Sequence, residues 1–139
     1  MRSVQTVEFV LKSVGLSLAE IQAETGLVAD SSTAQGSKHP EGPIPRTNIW
    51  TLQSSDSADP IERQISTLVN RLLPAKKALR LLCMREDTVA FLTLVRHFYP
   101  SDSDLGIGFF IEPAVLRVLS EIGAGIDVDE YDYSEVTNP

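Results

Sequence analysis

In the first third of the chain, the pattern of apolar and polar residues changes from strand-like alternation to a helical period. This predicts a strand followed by a helix. The stretch "TVEFVLK" alternates apolar and polar side chains, a pattern typical of a half-buried strand. The next stretch, "LSLAEIQAETGL", predicts a helix. Ser17 would cap it, Glu20 would complete a capping box, and Gly26 would supply the left-handed residue at its end.

The middle of the chain predicts one more strand and then two helices. "TNIWTLQS" alternates, with Trp50 and Leu52 on one face. "DPIERQISTLVNRLLP" predicts a helix capped by Asp59, with Pro60 in its first turn and Pro74 at its end. A shorter helix, "AKKALRLLC", is expected to follow.

The last third predicts two strands, a helix and a final strand. "TVAFLTLVRHFY" is apolar at both parities, as expected of a central strand covered on both faces. "LGIGFFI" alternates and predicts a further strand, and "EPAVLRVLSEIGA" predicts a helix from Pro113 to Gly123. With "IDVDEYDY" as the last strand, the order is strand, helix, strand, helix, helix, strand, strand, helix, strand. This order indicates an α+β fold, with a single five-stranded mixed sheet and helices packed on it.

The final strand carries an unusual pattern. Ile126 and Val128 alternate with Asp127 and Asp129, but the two tyrosines that follow share the parity of the aspartates. We therefore expect Ile126 and Val128 to be buried and Asp127 to be exposed. We also expect a bulge or the strand end within one residue of Glu130, where the alternation fails.

The 139 residues are about the length of one domain, so residues 1–139 are predicted to fold as a single unit. Within this unit, residues 28–46 contain three prolines and two glycines and show no hydrophobic periodicity. A loop of that length is either functional or partly mobile. Residues 132–139 are expected to form an acidic C-terminal tail.

Composition indicates an ordinary globular protein, with 42% hydrophobic and 22% charged residues. No apolar stretch is long enough to span a membrane, and the N-terminal segment lacks the apolar centre of a signal peptide. The only cysteine, Cys83, has no disulfide partner in the chain, which fits a reducing compartment. We expect Cys83 to be a buried apolar residue and the protein to be cytoplasmic.

The charge is concentrated at the C-terminal end. The net charge is −7, and residues 97–139 hold nine acidic residues against one arginine, a balance of −8 that leaves +1 for residues 1–96. Five of the carboxylates lie between Asp127 and Glu135. Such a balance argues against nucleic acid as a partner, because binding phosphates requires clustered basic residues.

The sequence contains no recognisable motif for catalysis, metal binding or cofactor binding. The two histidines, His39 and His97, are far apart, and no HExxH, paired cysteine, GxSxG or phosphate-loop motif occurs. In a calcium loop beginning at Asp127, a glycine would be needed at the position of Asp132. We therefore assign no catalytic residue, metal or cofactor, and an enzyme that uses Asp129 with His97 is the weakest alternative.

Several segments resemble a bacterial family catalogued as domain of unknown function number 4279. The matching segments are "LSLAEIQAETGL", the glycine of "QGSK" ahead of "WTLQS", the helix leading to "LLP", and "IEPAVLRVLSEIGAGIDVDEY". The resemblance covers nearly the whole chain and is strongest where Val128, Asp129 and Tyr131 match the closing pattern of the family. Glu130 and the loop 38–45 depart from it. The resemblance implies a shared fold and a prokaryotic source, and it implies no activity.

These observations favour a non-enzymatic interaction protein, of which an immunity-type protein is one form. It would bind a cationic protein partner through its acidic C-terminal region, and it would bind neither nucleic acid nor membrane. The predicted partner-binding residues are Asp127, Asp129, Asp132 and Glu135. The alternative is a regulatory domain that binds a small anionic ligand. Its candidate residues are Lys38, Arg46, Lys76, Lys77 and Arg80.

Overall fold

Five strands and four helices make up the part of the chain that the structure describes. The structure is a computed structural model that describes residues 4–37, 42–54, 58–99 and 108–133. The elements are β1 (Val4–Ser13), α1 (Leu18–Thr25), β2 (Ser31–Thr33), β3 (Asn48–Gln53), α2 (Ile61–Leu72), a 3-10 turn (Leu73–Ala75), α3 (Lys76–Cys83), β4 (Thr88–Phe98), α4 (Pro113–Ile122) and β5 (Gly125–Asp132).

The five strands form one mixed sheet in the order β2-β3-β1-β4-β5. β1 is antiparallel to both of its neighbours, β3 and β4, and β2 is antiparallel to β3. β5 is parallel to β4, and the helix α4 lies between them in the chain, because parallel neighbours need a crossover connection. The predicted α+β fold with a single five-stranded mixed sheet is therefore confirmed.

The sheet packs its helices on one side, which we call the helix face. Phe9 of β1 and Leu92 of β4 are fully buried there, beneath a core that includes Ile65 of α2 and Leu79 of α3. No described helix covers the opposite side, the open face. The cover predicted for both faces of β4 is absent at Val89, which lies on the open face and is 53% exposed, whereas Thr93 on the same face is 8% exposed.

The predicted helix ends are largely confirmed. The Ser17 hydroxyl accepts the backbone N–H of Glu20 in a complete capping box, and Gly26 has a left-handed φ of 68°. The cap predicted for α2 is wrong: Pro60, not Asp59, precedes its first residue, and no side chain caps it. The carboxylate of Asp59 instead forms a salt bridge with Arg63.

Two strands differ from the prediction. β2 lies inside the segment 28–46 that was predicted to be a loop, and its three residues are polar and exposed, so hydrophobic periodicity does not reveal it. The strand predicted at "LGIGFFI" is irregular from Gly108 to Ile111, and residues 105–107 lie outside the described ranges. Gly108 has a left-handed φ of 86°, and Phe109 packs against the core without pairing to a strand.

A carboxylate ties the loop before β2 to the rest of the fold. Oδ2 of Asp30 accepts the backbone N–H of Gln53 at 2.8 Å and Nη1 of Arg71 at 3.0 Å. The same Nη1 donates to the carbonyl of Gln53 at 3.0 Å. The Gln53 N–H, and then Arg71, hold the pKa of Asp30 below its usual value against the opposing effect of burial. These contacts join β3 and α2 to the segment that leads into β2.

We predict that Asp30→Asn lowers the free energy of unfolding by about 1 kcal/mol at pH 7, since it removes a half-exposed charged hydrogen-bond acceptor. A depressed pKa stabilises the fold above the unfolded-state pKa, and this stabilisation is lost as the pH falls through the folded-state pKa. The difference from the parent should therefore shrink below about pH 4. Urea unfolding across pH would measure it. A difference that is constant with pH would show that the charge of Asp30 does not stabilise the fold, and the exposed Glu24→Gln is the control.

Candidate functional site

The C-terminal strand β5 is the edge of the sheet and carries the acidic stretch. It pairs in regular register with β4 along its whole length, with Leu94 opposite Val128 and Phe98 opposite Asp132. The bulge or strand end predicted within one residue of Glu130 is therefore wrong. β5 continues to Asp132 without a break in the pairing.

Glu130 lies at the parity of the apolar residues because it meets a buried arginine. Arg96 is opposite Glu130 on the helix face and is only 2% exposed. Its Nη1 lies 3.3 Å from Oε2 of Glu130, and its guanidinium lies over the rings of Phe98 and Phe109, at 4.7 and 5.2 Å from their centroids. A buried guanidinium needs a counter-charge and stacking partners. Glu130 therefore does not break the alternation of β5, because its side chain lies on the helix face like those of Ile126 and Val128.

The predicted burial of the two aliphatic residues of β5 is wrong. Ile126 is 38% exposed and Val128 is 42% exposed, although both are on the helix face. Their exposure follows from their position, because no described strand lies beyond this edge of the sheet. The predicted exposure of Asp127 is confirmed.

Four aromatic side chains are grouped at one end of the open face, and we call them the aromatic ladder: His97, Tyr99, Tyr131 and Tyr133. Tyr131 stacks on His97 with centroids 4.8 Å apart and planes 10° apart, and Tyr133 stacks on Tyr99 at 4.6 Å and 9°. The Tyr133 hydroxyl also lies 3.4 Å from Nδ1 of His97. These cross-strand contacts explain why the tyrosines share the parity of the aspartates.

The predicted partner-binding residues do not form one surface. Asp127 and Asp129 lie together on the open face, next to the aromatic ladder, and we call them the open-face pair. Asp132 has the opposite parity, on the side of Glu130, and is exposed. Glu135 lies outside the described residues. The acidic stretch therefore presents different groups to the two sides of the sheet.

The predicted anion-binding residues are separated as well. Lys76 of α3 forms a salt bridge with Glu121 of α4. The hydrogen bond and charge of Lys76, with smaller effects of Arg117 and Arg80, hold the pKa of Glu121 below its usual value. Lys77 is exposed on the same helix, Arg46 is exposed in the loop before β3, and Lys38 lies outside the described residues. Part of the positive charge on α3 is therefore already neutralised.

Other candidate chemistry is sparse in the described ranges. Burial raises the pKa of the Cys83 thiol to about 11, so this group stays protonated near neutral pH. His97 and Asp129 share the open face. In the described ranges, no group of three or more histidine, cysteine and acidic residues is arranged to hold a metal ion. None of the described helices has both the length and the apolar character needed to span a bilayer.

An open cleft of about 640 Å³ lies between β3 and α2. Its lining includes Asp30, Gln53 and Arg71, whose polar groups bond to one another as described above. Those groups hold the fold together, and they are already used within the protein. The cleft is therefore a weaker candidate for a binding site than the exposed face of β5.

Sequence reasoning missed both the aromatic ladder and the partner of Glu130. A signal for the ladder was present, since His97 and Tyr99 share one parity along β4 and Tyr131 and Tyr133 share one parity along β5. The parallel pairing that places these sets side by side is a tertiary property. The sequence alone does not reveal it.

We predict that Glu130→Gln lowers the free energy of unfolding by about 1 kcal/mol, because it removes a half-exposed counter-charge of Arg96. The matched control is Asp127→Asn, which removes one carboxylate from the other side of the same strand. Its effect should stay within about 0.5 kcal/mol. Urea unfolding at pH 7 would measure both. Equal effects of the two substitutions would mean that the pairing of Glu130 with Arg96 contributes nothing to the free energy of unfolding.

Comparison with known proteins identifies a family. No curated protein and no solved structure is significantly similar to this chain. The family model described as "Domain of unknown function (DUF4279)" matches residues 2–133, nearly the whole chain. This is the family that the sequence segments resemble. The chain belongs to the DUF4279 family.

Proposed function

We propose that this protein is a non-enzymatic interaction protein that binds a cationic protein partner through its acidic C-terminal region. The observation that carries the proposal is the position of the open-face pair. Asp127 is exposed and Asp129 is half-buried, and both lie beside the aromatic ladder on the open face of β5. Carboxylates attract lysine and arginine side chains, and aromatic rings stack on the cationic groups of those side chains.

Long-range electrostatics support the same proposal. Residues 97–139 carry a balance of −8, and a field of one sign speeds the encounter with an oppositely charged surface. An immunity-type protein, which binds and neutralises a cationic toxin, is the form we propose. The single cysteine supports a cytoplasmic location, and the family resemblance supports a bacterial source.

The alternative is a regulatory domain for a small anionic ligand. The exposed side chains of Lys77 and Arg80 on α3 support it. The salt bridge of Lys76 with Glu121 weighs against it, since an anion would have to displace a carboxylate. We therefore favour the cationic protein partner.

We predict that neutralising the open-face pair strongly reduces partner capture. The tagged protein would be compared with the double variant Asp127→Asn/Asp129→Asn in affinity capture from an extract of the source cells. The control double variant, Glu24→Gln/Glu86→Gln, removes two exposed carboxylates elsewhere, so both variants have a net charge of −5. We expect the control to retain a basic partner and the open-face variant to lose it, by about tenfold or more.

Equal capture by both variants would contradict the proposal, as would a captured partner that is itself acidic. The alternative makes a different prediction. An anionic metabolite that raises the melting temperature of the parent, and does not raise it in Lys77→Ala/Arg80→Ala, would favour the ligand-binding domain.

A further inference from the structure

The outer edge of β5 presents a row of backbone groups that no described strand pairs with. The N–H of Tyr133 donates to the carbonyl of Phe98 at 2.8 Å, so the backbone N–H of Tyr133 points toward β4. Backbone groups alternate in direction along a strand. The N–H and C=O groups of Ile126, Val128 and Glu130 therefore point away from β4. Among the described residues, no strand pairs with this edge.

The two edges of the sheet differ in length. β2, at the other edge, has three residues, whereas β5 has eight. A long exposed edge is a template for pairing with another chain, and proteins limit unwanted pairing by placing charges on it. β5 carries four acidic residues, and their charge restricts which chain can pair there.

A second copy of this protein does not fit the edge. Two β5 strands paired with one another would bring Asp127 and Asp129 close to the same residues of the other copy on the open face. Glu130 and Asp132 would approach their counterparts on the helix face. Like charges on neighbouring strands are destabilising. A strand that carries positive charge has no such cost.

The two faces of β5 differ in what they would contact on an added strand. On the open face, Asp127 and Asp129 lead to the aromatic ladder, which suits cationic side chains. On the helix face, Ile126 and Val128 are 38% and 42% exposed, which suits apolar side chains. A strand that pairs with this edge would therefore alternate basic and apolar residues.

We propose that the cationic partner binds by strand addition to the free edge of β5, through an extended segment in which arginine or lysine alternates with apolar residues. This inference rests on the proposed function and specifies how the partner is held. Backbone hydrogen bonds to the edge supply affinity in this binding mode, and alternate side chains supply specificity.

The probe is an eight-residue peptide of alternating arginine and valine with blocked ends, and its dissociation constant is measured by fluorescence anisotropy. The control peptide has the same composition as a block of four arginines followed by four valines. We expect the alternating peptide to bind at least about tenfold more tightly, since only its two faces match those of β5. Equal affinities would overturn strand addition.

Backbone methylation of the peptide tests the hydrogen bonds directly. Only every second N–H of an added strand points toward β5. Methylating the nitrogens of one alternate set should therefore abolish binding, and methylating the other set should leave it within about threefold. If both methylated peptides bind like the parent, no backbone pairing occurs and the inference is wrong.

Val128→Pro tests the same point from the side of the protein, with every carboxylate unchanged. Its N–H points away from β4, so proline is tolerated in this edge strand and should remove one donor from the free edge. We expect the alternating peptide to bind about tenfold more weakly to this variant. Val128→Ala, which keeps the N–H, is the control, and circular dichroism checks that both variants fold.

The variants separate the two proposals. Loss of peptide binding in both Val128→Pro and Asp127→Asn/Asp129→Asn supports strand addition. Loss in the aspartate variant alone, with Val128→Pro and both methylated peptides unaffected, overturns strand addition and leaves the electrostatic proposal intact. No loss in any variant overturns both. If Val128→Pro does not fold, the pair of methylated peptides decides.

Discussion

The burial of one guanidinium sets the arrangement of the C-terminal strand. Arg96 is nearly inaccessible on the helix face, where it is held by Glu130 and by the rings of Phe98 and Phe109. A charge in that position is costly without a counter-charge. A slip of one residue in β5 would turn Glu130 away from Arg96 and would move Asp129 to its side. The register of β5 therefore depends on this contact.

The same register gives β5 two chemically different sides and an outer edge that no described strand covers. The open-face pair and the aromatic ladder lie on one side, and the exposed Ile126 and Val128 lie on the other. The negative charges of this edge disfavour self-pairing, and they favour a basic chain. A single structural feature, the parallel edge strand at the end of the βαβ unit, thus accounts for the acidic stretch, the tyrosines and the apparent irregularity at Glu130.

Local signals in the sequence predicted most of the fold, and contacts between distant segments account for the errors. The capping residues Ser17 and Gly26 mark a helix by their own hydrogen bonds and backbone angles, so the sequence suffices there. The residues Ser31–Thr33 become a strand only by pairing with β3, so nothing in their own pattern indicates it. Glu130 was misread for the same reason, because its partner Arg96 is 34 residues away.

Amide hydrogen exchange, measured by NMR, reports on the register of β5 and on its outer edge. Exchange rates should alternate along the strand: the N–H groups of Asp127, Asp129 and Tyr131 point toward β4 and should be protected, while those of Ile126 and Val128 point outward and should exchange rapidly. The opposite alternation would mean that β5 is shifted by one residue. Protection of Ile126 and Val128 as well would mean that the edge is already paired, and either result would rule out this register or this open edge.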